Sequence, residues 1–243
     1  MEKKKLALLF ILLIVFVAVL VAFYSEPKES VSTSRNVIGI IKLPSPQLIG
    51  NMSVEQAIQN RRSVRKYSTQ SLNLTDVSQL LWAGQGITDT QRKLRAAPSA
   101  GQVYPLELYV IVGIGGVSGL KEGLYHYVPQ NNTLEKILEG DLRNNLSQVA
   151  DGQPWVKQAP MNIVITGNYQ KMINKYKDQQ LCTRFVDMEA GHVGENIYLQ
   201  AEARGLSTVS LGSFNENQMI RLLHLTKNET PLYIFPVGHP LSQ

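Results

Sequence analysis

Apolar and polar positions separate most sharply at the start of the chain. Residues 1–5 are Met-Glu-Lys-Lys-Lys, residues 6–23 are an unbroken apolar run, and from Tyr24 the chain turns polar. Eighteen apolar residues rise about 27 Å as a helix, the lower edge of what spans a hydrocarbon core. The run is longer than the apolar region of a cleaved signal peptide, and Val21-Ala22-Phe23-Tyr24 offers no small-x-small cleavage site. The pattern predicts one membrane anchor over 6–23, with the basic flank 1–5 cytoplasmic and the rest of the chain outside. A cleaved signal and the inverted topology are the alternatives. Residues 24–50, rich in Ser and Pro, read as a linker that gains order near 37–43, and the folded domain is expected over 51–243.

Within that domain the period switches between helix and strand. Ser53-x-x-Gln56 is a capping box and predicts a helix through residue 60. A second helix is expected over 75–83 with Gly84 as its stop. Residues 106–112 are strand-like. Residues 124–128 and 133–137, joined by Pro129-Gln130-Asn131-Asn132, read as a hairpin. A helix opening at Asp141 and a buried strand over 161–166 follow. The longest helix is expected over 184–204, because Val186, Ala190, Val193, Ile197 and Ala201 share one face and Gly205 ends it. A short strand at 206–210, a helix capped by Asn215-x-x-Gln218 and a strand over 232–237 complete the chain. Strands and helices mix without regular alternation, so the fold class is α+β, not a doubly wound sheet.

Composition narrows the function classes. A chain of 243 residues with 44% apolar content supports one sizeable core. The net charge of +5 is modest and aromatic and basic residues form no stripe, so no nucleic-acid footprint is present. Cys182 is the only cysteine and cannot close an internal disulfide. Asn-x-Ser/Thr sequons at Asn51, Asn73, Asn131, Asn145 and Asn228 are compatible with an extracytoplasmic domain. His126, His192, His224 and His239 are scattered without metal-ligand spacing, so no metal site is expected. The glycine-rich stretch 113–119 imitates a dinucleotide fingerprint. Its third glycine comes one place late and a strand follows, so a pyrophosphate would lack a helix N-terminus to sit on.

The positive chemical signal is Arg61-Arg62-Ser63-Val64-Arg65 at the end of the first helix. Guanidinium groups bind phosphate bidentately and a hydroxyl adds a donor. In extended chain Arg61, Ser63 and Arg65 would share a face. A solvated basic helix end is the competing reading. Four further segments bear on the choice: the run 95–109 from Arg95 through Ser99-Ala100-Gly101-Gln102 to Tyr109, Glu189-Ala190-Gly191-His192 in the long helix, Val209-Ser210-Leu211-Gly212-Ser213-Phe214, and Pro236-Val237-Gly238-His239-Pro240. In this order and spacing they resemble the nitroreductase superfamily, and within it the SagB-type dehydrogenases related to thiazole- and oxazole-forming enzymes.

The resemblance covers about 41–240. It implies a mixed central sheet flanked by helices, an intertwined homodimer, and FMN in a cleft between the subunits. Carried over, Arg61 and Ser63 hold the phosphate, and Arg65 lies near the N1/O2 edge of the ring. Ser99, Gly101 and Gln102 contact the ring or ribityl chain, and Leu211 and Gly212 offer backbone N–H groups near N5 and O4. Gly101 has a physical rationale, since a missing side chain lets backbone approach closely. Lys175-Tyr176 looks like the proton-moving pair of azole-forming relatives, with a surface loop in a Lys-rich stretch as the alternative. Many relatives complete the phosphate site with basic residues near the C-terminus. Here His239, Arg62 or the partner subunit is left to do so. The implied activity is hydride transfer through flavin N5, to or from a small molecule or modified peptide, with NADH or NADPH as a source of electrons. A flavin carrier, or an azoline-oxidising subunit of a peptide-modifying complex, are the alternatives.

Overall fold

The computed structural model describes residues 35–241. The expected membrane anchor over 6–23 and its flanks lie outside them. Among the described residues no helix is long and apolar enough to cross a membrane.

The chain enters as β1 (Gly39–Lys42), within the stretch read as linker and where order was expected. Next come α1 (Val54–Asn60), β2 (Leu72–Asn73) and α2 (Leu74–Gln85). A small ribbon, β3 (Ile87–Asp89) and β4 (Leu94–Arg95), precedes a 3-10 turn at Ala100–Gln102. β5 (Leu106–Val112), β6 (Val117–Ser118), β7 (Gly123–Val128) and β8 (Thr133–Glu139) follow. Two short helices, α3 (Arg143–Val149) and α4 (Pro154–Gln158), lead to β9 (Met161–Gly167). The last third holds α5 (Tyr169–Tyr176), α6 (Gln179–Ala203), β10 (Ser207–Thr208), α7 (Glu216–Leu222) and β11 (Thr230–Gly238).

Seven strands form one sheet in the order β1-β8-β7-β5-β9-β11-β10. Every ladder in it is antiparallel. The mixed character expected of it enters at the rim, where Ser63 makes a parallel bridge to Thr208 beyond β10. Leu106, Leu108, Val110 and Val112 of β5 point into one core with α2 and α6. Tyr109 and Ile111 point into a second core with α3 and α7. Helices thus cover both faces, which is why β5 reads as a continuous apolar run.

Local chemistry explains the helix ends. Ser53 and Gln56 exchange the two capping-box hydrogen bonds, Gln56 N–H to Ser53 Oγ at 3.2 Å and Ser53 N–H to Gln56 Oε1 at 3.0 Å. α2 uses the same device with Asn73 and Asp76, so it starts before the expected Thr75. It also runs through Gly84 and ends at Gly86. A Cβ on Gly84 would stand 3.2 Å from Leu108 and 3.3 Å from Val193, so this glycine sets how closely the helix approaches sheet and α6 and does not stop it. The expected stripe on α6 is buried throughout, and Val186, Val193 and Ile197 each contribute about 2 kcal/mol by leaving water.

Candidate functional site

Arg61 is the residue at which α1 ends, and the extended chain beyond it runs beside β10. Val64 N–H donates to Thr208 O at 3.0 Å, which holds the segment in place. Two of the three expected donors converge there. The Arg61 guanidinium lies 5.0 Å over the Tyr198 ring, and Ser63 Oγ is 3.1 Å from the Tyr198 hydroxyl. The same hydroxyl accepts Ser210 N–H at 2.7 Å, one residue before Leu211-Gly212. Tyr198 is 8% exposed and stands edge-on to Phe235. Arg65 departs from the expected common face. Its guanidinium lies 5.6 Å over the Trp155 ring, whose indole N–H is buried without a partner. Arg62 turns back onto the carbonyls of Gln59 and Arg61.

The Leu211 amide, expected near the flavin, is instead engaged within the sheet. Its N–H donates to Ile234 O at 2.9 Å, and the reverse bond is made as well. Of the pair, exposed Gly212 retains the backbone amide suited to a ligand.

A second corner forms where α5 crosses the 3-10 turn. Lys175 and Tyr176 belong to a helix, not a loop, and Lys175 Nζ donates to Gly101 O. Gly101 has φ +59°, and a Cβ there would stand 2.5 Å from Tyr176 Oη and 2.6 Å from Lys175 Nζ. The glycine makes room for these two side chains. Lys175 is exposed. Gln102 is exposed with φ +58°, and Ser99 Oγ accepts Tyr104 N–H at 2.9 Å. α5 is fixed from below by Lys171 Nζ to Glu107 Oε1 at 2.7 Å, while His126 Nε2 reaches Glu107 Oε2 at 3.0 Å. Burial alone would raise the Glu107 carboxyl; the hydrogen bond from His126 and the charge and hydrogen bond of Lys171 bring it down to about 2.

The sequence pattern of the Nitroreductase family matches residues 58–239, which hold both corners. The chain belongs to the nitroreductase family. A nitroreductase-family protein of Methanocaldococcus jannaschii, MJ1384, is 37% identical over 83% of this chain and 97% of its own. The FMN reductase [NAD(P)H] of Bacillus subtilis is 28% identical over 47% of this chain and 51% of its own. Among solved structures, a nitroreductase from Ralstonia eutropha superposes with TM-score 0.72 at 29% identity, covering 90% of this chain and 99% of that one. The fold also recurs in the Escherichia coli microcin synthetase McbBCD complex, with TM-score 0.65 at 19% identity over 93% of this chain and 82% of that one. As a nitroreductase-family protein, the chain is a flavin oxidoreductase.

The donor set fits a flavin phosphate in kind: one guanidinium and one hydroxyl on a shared hub, with the Gly212 amide nearby in the chain. Glu195 Oε1, 3.9 Å from Arg61 Nε, opposes an anion and weakens that fit. Two residues beside the candidate site, Tyr198 and Glu189, stand out only in the structure. Tyr198 hides in the apolar stripe of α6, where only its hydroxyl sets it apart.

Glu189 lies under the Ser99 turn, 2% exposed, with Oε1 taking Gln85 Nε2 at 3.4 Å and Oε2 unpartnered. Burial pushes its carboxyl up to about 7, against the smaller opposing pulls of Ser99, Gln85 and Arg95. Stability from this group is full below its unfolded value of 4.5 and is lost as pH rises through about 7. Glu189→Gln, with no charge to bury, is expected to gain about 2–3 kcal/mol on the parent between about pH 5 and pH 8. Urea unfolding across that range measures it, and a pH-independent difference removes this account of Glu189.

Proposed function

We propose that the protein is an FMN-dependent oxidoreductase moving a hydride to or from a small molecule or a modified peptide. The observation that carries the reading is the meeting of Arg61, Ser63 and the Ser210 turn at one buried hydroxyl in a nitroreductase-family chain. FMN, when bound, supplies a two-electron acceptor and donor at ring N5. Arg61 and Ser63 are the donors suited to its phosphate, with Arg62 or His239 completing the set. Arg65 is the cation suited to the ring edge where charge develops on reduction. Ser99, Gly101, Gln102 and Gly212 orient the ring and its chain. Lys175 Nζ and Tyr176 Oη hold the proton that accompanies the hydride. NADH or NADPH is the electron source in the reducing direction, as the name of the Bacillus subtilis relative supports.

The purified chain is expected to be yellow, to release FMN on denaturation and to run as a homodimer by light scattering. Arg61→Ala is expected to weaken FMN binding about 10- to 100-fold by removing a charge-assisted contact. A colourless chain that takes up no added FMN would falsify the reading.

The likeness to a microcin synthetase complex bound to truncated pro-MccB17 favours a second reading, that of a SagB-type azoline oxidase within a peptide-modifying assembly. Azoline oxidation that appears only when partner proteins are added is its signature. Turnover by the purified chain alone excludes a pure flavin carrier.

We also propose that residues 6–23 anchor the enzyme with its catalytic domain outside the cytoplasm. Protease added to intact spheroplasts is expected to digest a C-terminal tag. A tag protected until the membrane is opened places the enzyme inside and makes NADH or NADPH the natural donor.

A further inference from the structure

The Tyr198 hydroxyl has one proton to give and two lone pairs to share. Ser210 N–H takes one lone pair at 2.7 Å. Ser63 Oγ lies at 3.1 Å and Ser210 Oγ at 3.4 Å, so the proton has two candidate acceptors. The choice matters for Ser63. If Ser63 donates to Tyr198, its own proton faces inward and it offers an anion only lone pairs. If Tyr198 donates to Ser63 Oγ, the serine proton is free to point outward beside Arg61. Only the second arrangement makes Ser63 a donor to a phosphate. Ser63 Oγ is also the nearer of the two acceptors.

The ring does separate work. It carries the Arg61 guanidinium at 5.0 Å and is itself held by Phe235 at 5.6 Å, so the hydroxyl can be removed without disturbing the stack. Ser63 is exposed and Tyr198 buried, which places the orienting group behind the serine and away from solvent. Among the described residues no other hydroxyl lies within hydrogen-bond reach of Ser63 Oγ.

We propose that Tyr198 is a positioning residue for the phosphate end of the cofactor: its hydroxyl donates to Ser63 Oγ and so turns the serine proton toward the anion. The inference rests on the FMN reading above. Its consequence is selectivity for the phosphorylated flavin, because riboflavin carries the same ring and chain without the anion. Tyr198→Phe keeps the ring and loses both the proton and the acceptor of Ser210 N–H, so Ser63→Ala and the double variant carry the distinction. Tyr198→Phe is expected to reduce the preference for FMN over riboflavin by about 3- to 10-fold, the worth of one hydrogen bond. Ser63→Ala is expected to reduce the preference by a similar factor, and the double variant by no more than the larger single effect.

The experiment titrates the flavin-free, full-length chain in detergent with FMN and with riboflavin, following quenching of flavin fluorescence. A merely structural role for Tyr198 lowers both affinities together and leaves their ratio unchanged, which overturns the proposal. Additive effects of the two substitutions overturn it as well. Exposed Ser63 gives a variant at little risk of misfolding, and an unchanged ratio in Ser63→Ala is equally decisive against it. Failure of the underlying reading looks different: the parent chain then binds neither flavin, or binds both alike.

Discussion

Lys175→Ala is expected to lower turnover by about 10²–10⁴-fold while FMN affinity changes far less, the signature of a lost proton-transfer group. The prediction follows from where α5 puts the pair. Lys175 Nζ and Tyr176 Oη flank one point above Gly101, and Lys171 ties the helix to Glu107 on the sheet below. Tyr176 also stands edge-on to Phe185 at 5.3 Å, so Tyr176→Phe keeps the packing and reports on the hydroxyl alone. Because Lys175 also donates to Gly101 O, Lys175→Ala removes a hold on the turn as well as the proposed proton carrier. Lys175→Arg separates the two: it keeps a donor for Gly101 O but does not give up its proton. An arginine variant as slow as the alanine variant assigns the loss to proton transfer. Turnover is measured per bound FMN, anaerobically, with whichever donor or azoline peptide the parent accepts. Normal rates in Lys175→Ala and Tyr176→Phe reduce α5 to a packing element.

The largest stability effect is expected at the start of the folded chain. Glu229 is 5% exposed and accepts from Arg35 Nη2 at 2.7 Å, Tyr109 Oη at 2.6 Å, Thr166 Oγ1 at 3.2 Å and the Thr226 hydroxyl. Burial, and then the Glu229 charge, push the Tyr109 hydroxyl well above its ordinary value, which keeps it a donor. Arg35 brings the only cationic side chain paired with this carboxylate among the described residues. A fragment that begins at Val37 lacks it. Breaking a buried pair from one side costs about 3–5 kcal/mol, because the remaining charge is left desolvated. Arg35 keeps some exposure, so about 3 kcal/mol is the expectation for this fragment against one beginning at Ser32. Arg35→Ala in the intact chain should reproduce the loss. Equal urea midpoints for the two fragments would mean that the hydroxyl donors suffice.

Elements whose cause is local were legible in the sequence. The α6 stripe, the hairpin around Pro129 and the capping box at Ser53 depend on residues a few places apart, and each stands where expected. α5 was missed for the converse reason. It spans two turns, only Met172 on it is fully buried, and its N-cap, Asn168, has no reciprocal partner three residues on to mark it. Gly84 misled because a glycine demanded by helix packing looks the same in sequence as one that ends a helix.

The site divides along the same line. Arg61 and Ser63 announced themselves by chemical type, but their hub is 135 residues from Ser63 along the chain. Arg65 parted from them because Trp155 supplies a competing aromatic face. The Leu211 amide, which the resemblance offers to the flavin, is taken by Ile234, on a strand that local pattern could not pair with it.

The order of the sheet has a practical meaning for handling the protein. β1 forms one rim and β10, with Ser63 beside it, the other, separated by six strand spacings. At about 4.8 Å each, the two rims stand about 29 Å apart. Tyr67 pairs with Pro240 close to the Ser63 rim, so Pro240 lies beside the corner proposed to hold the phosphate. Immobilising the protein on a bead or an electrode through a residue of β1 therefore leaves that corner facing the solution. Coupling it through a residue beside Pro240 presses the same corner against the support.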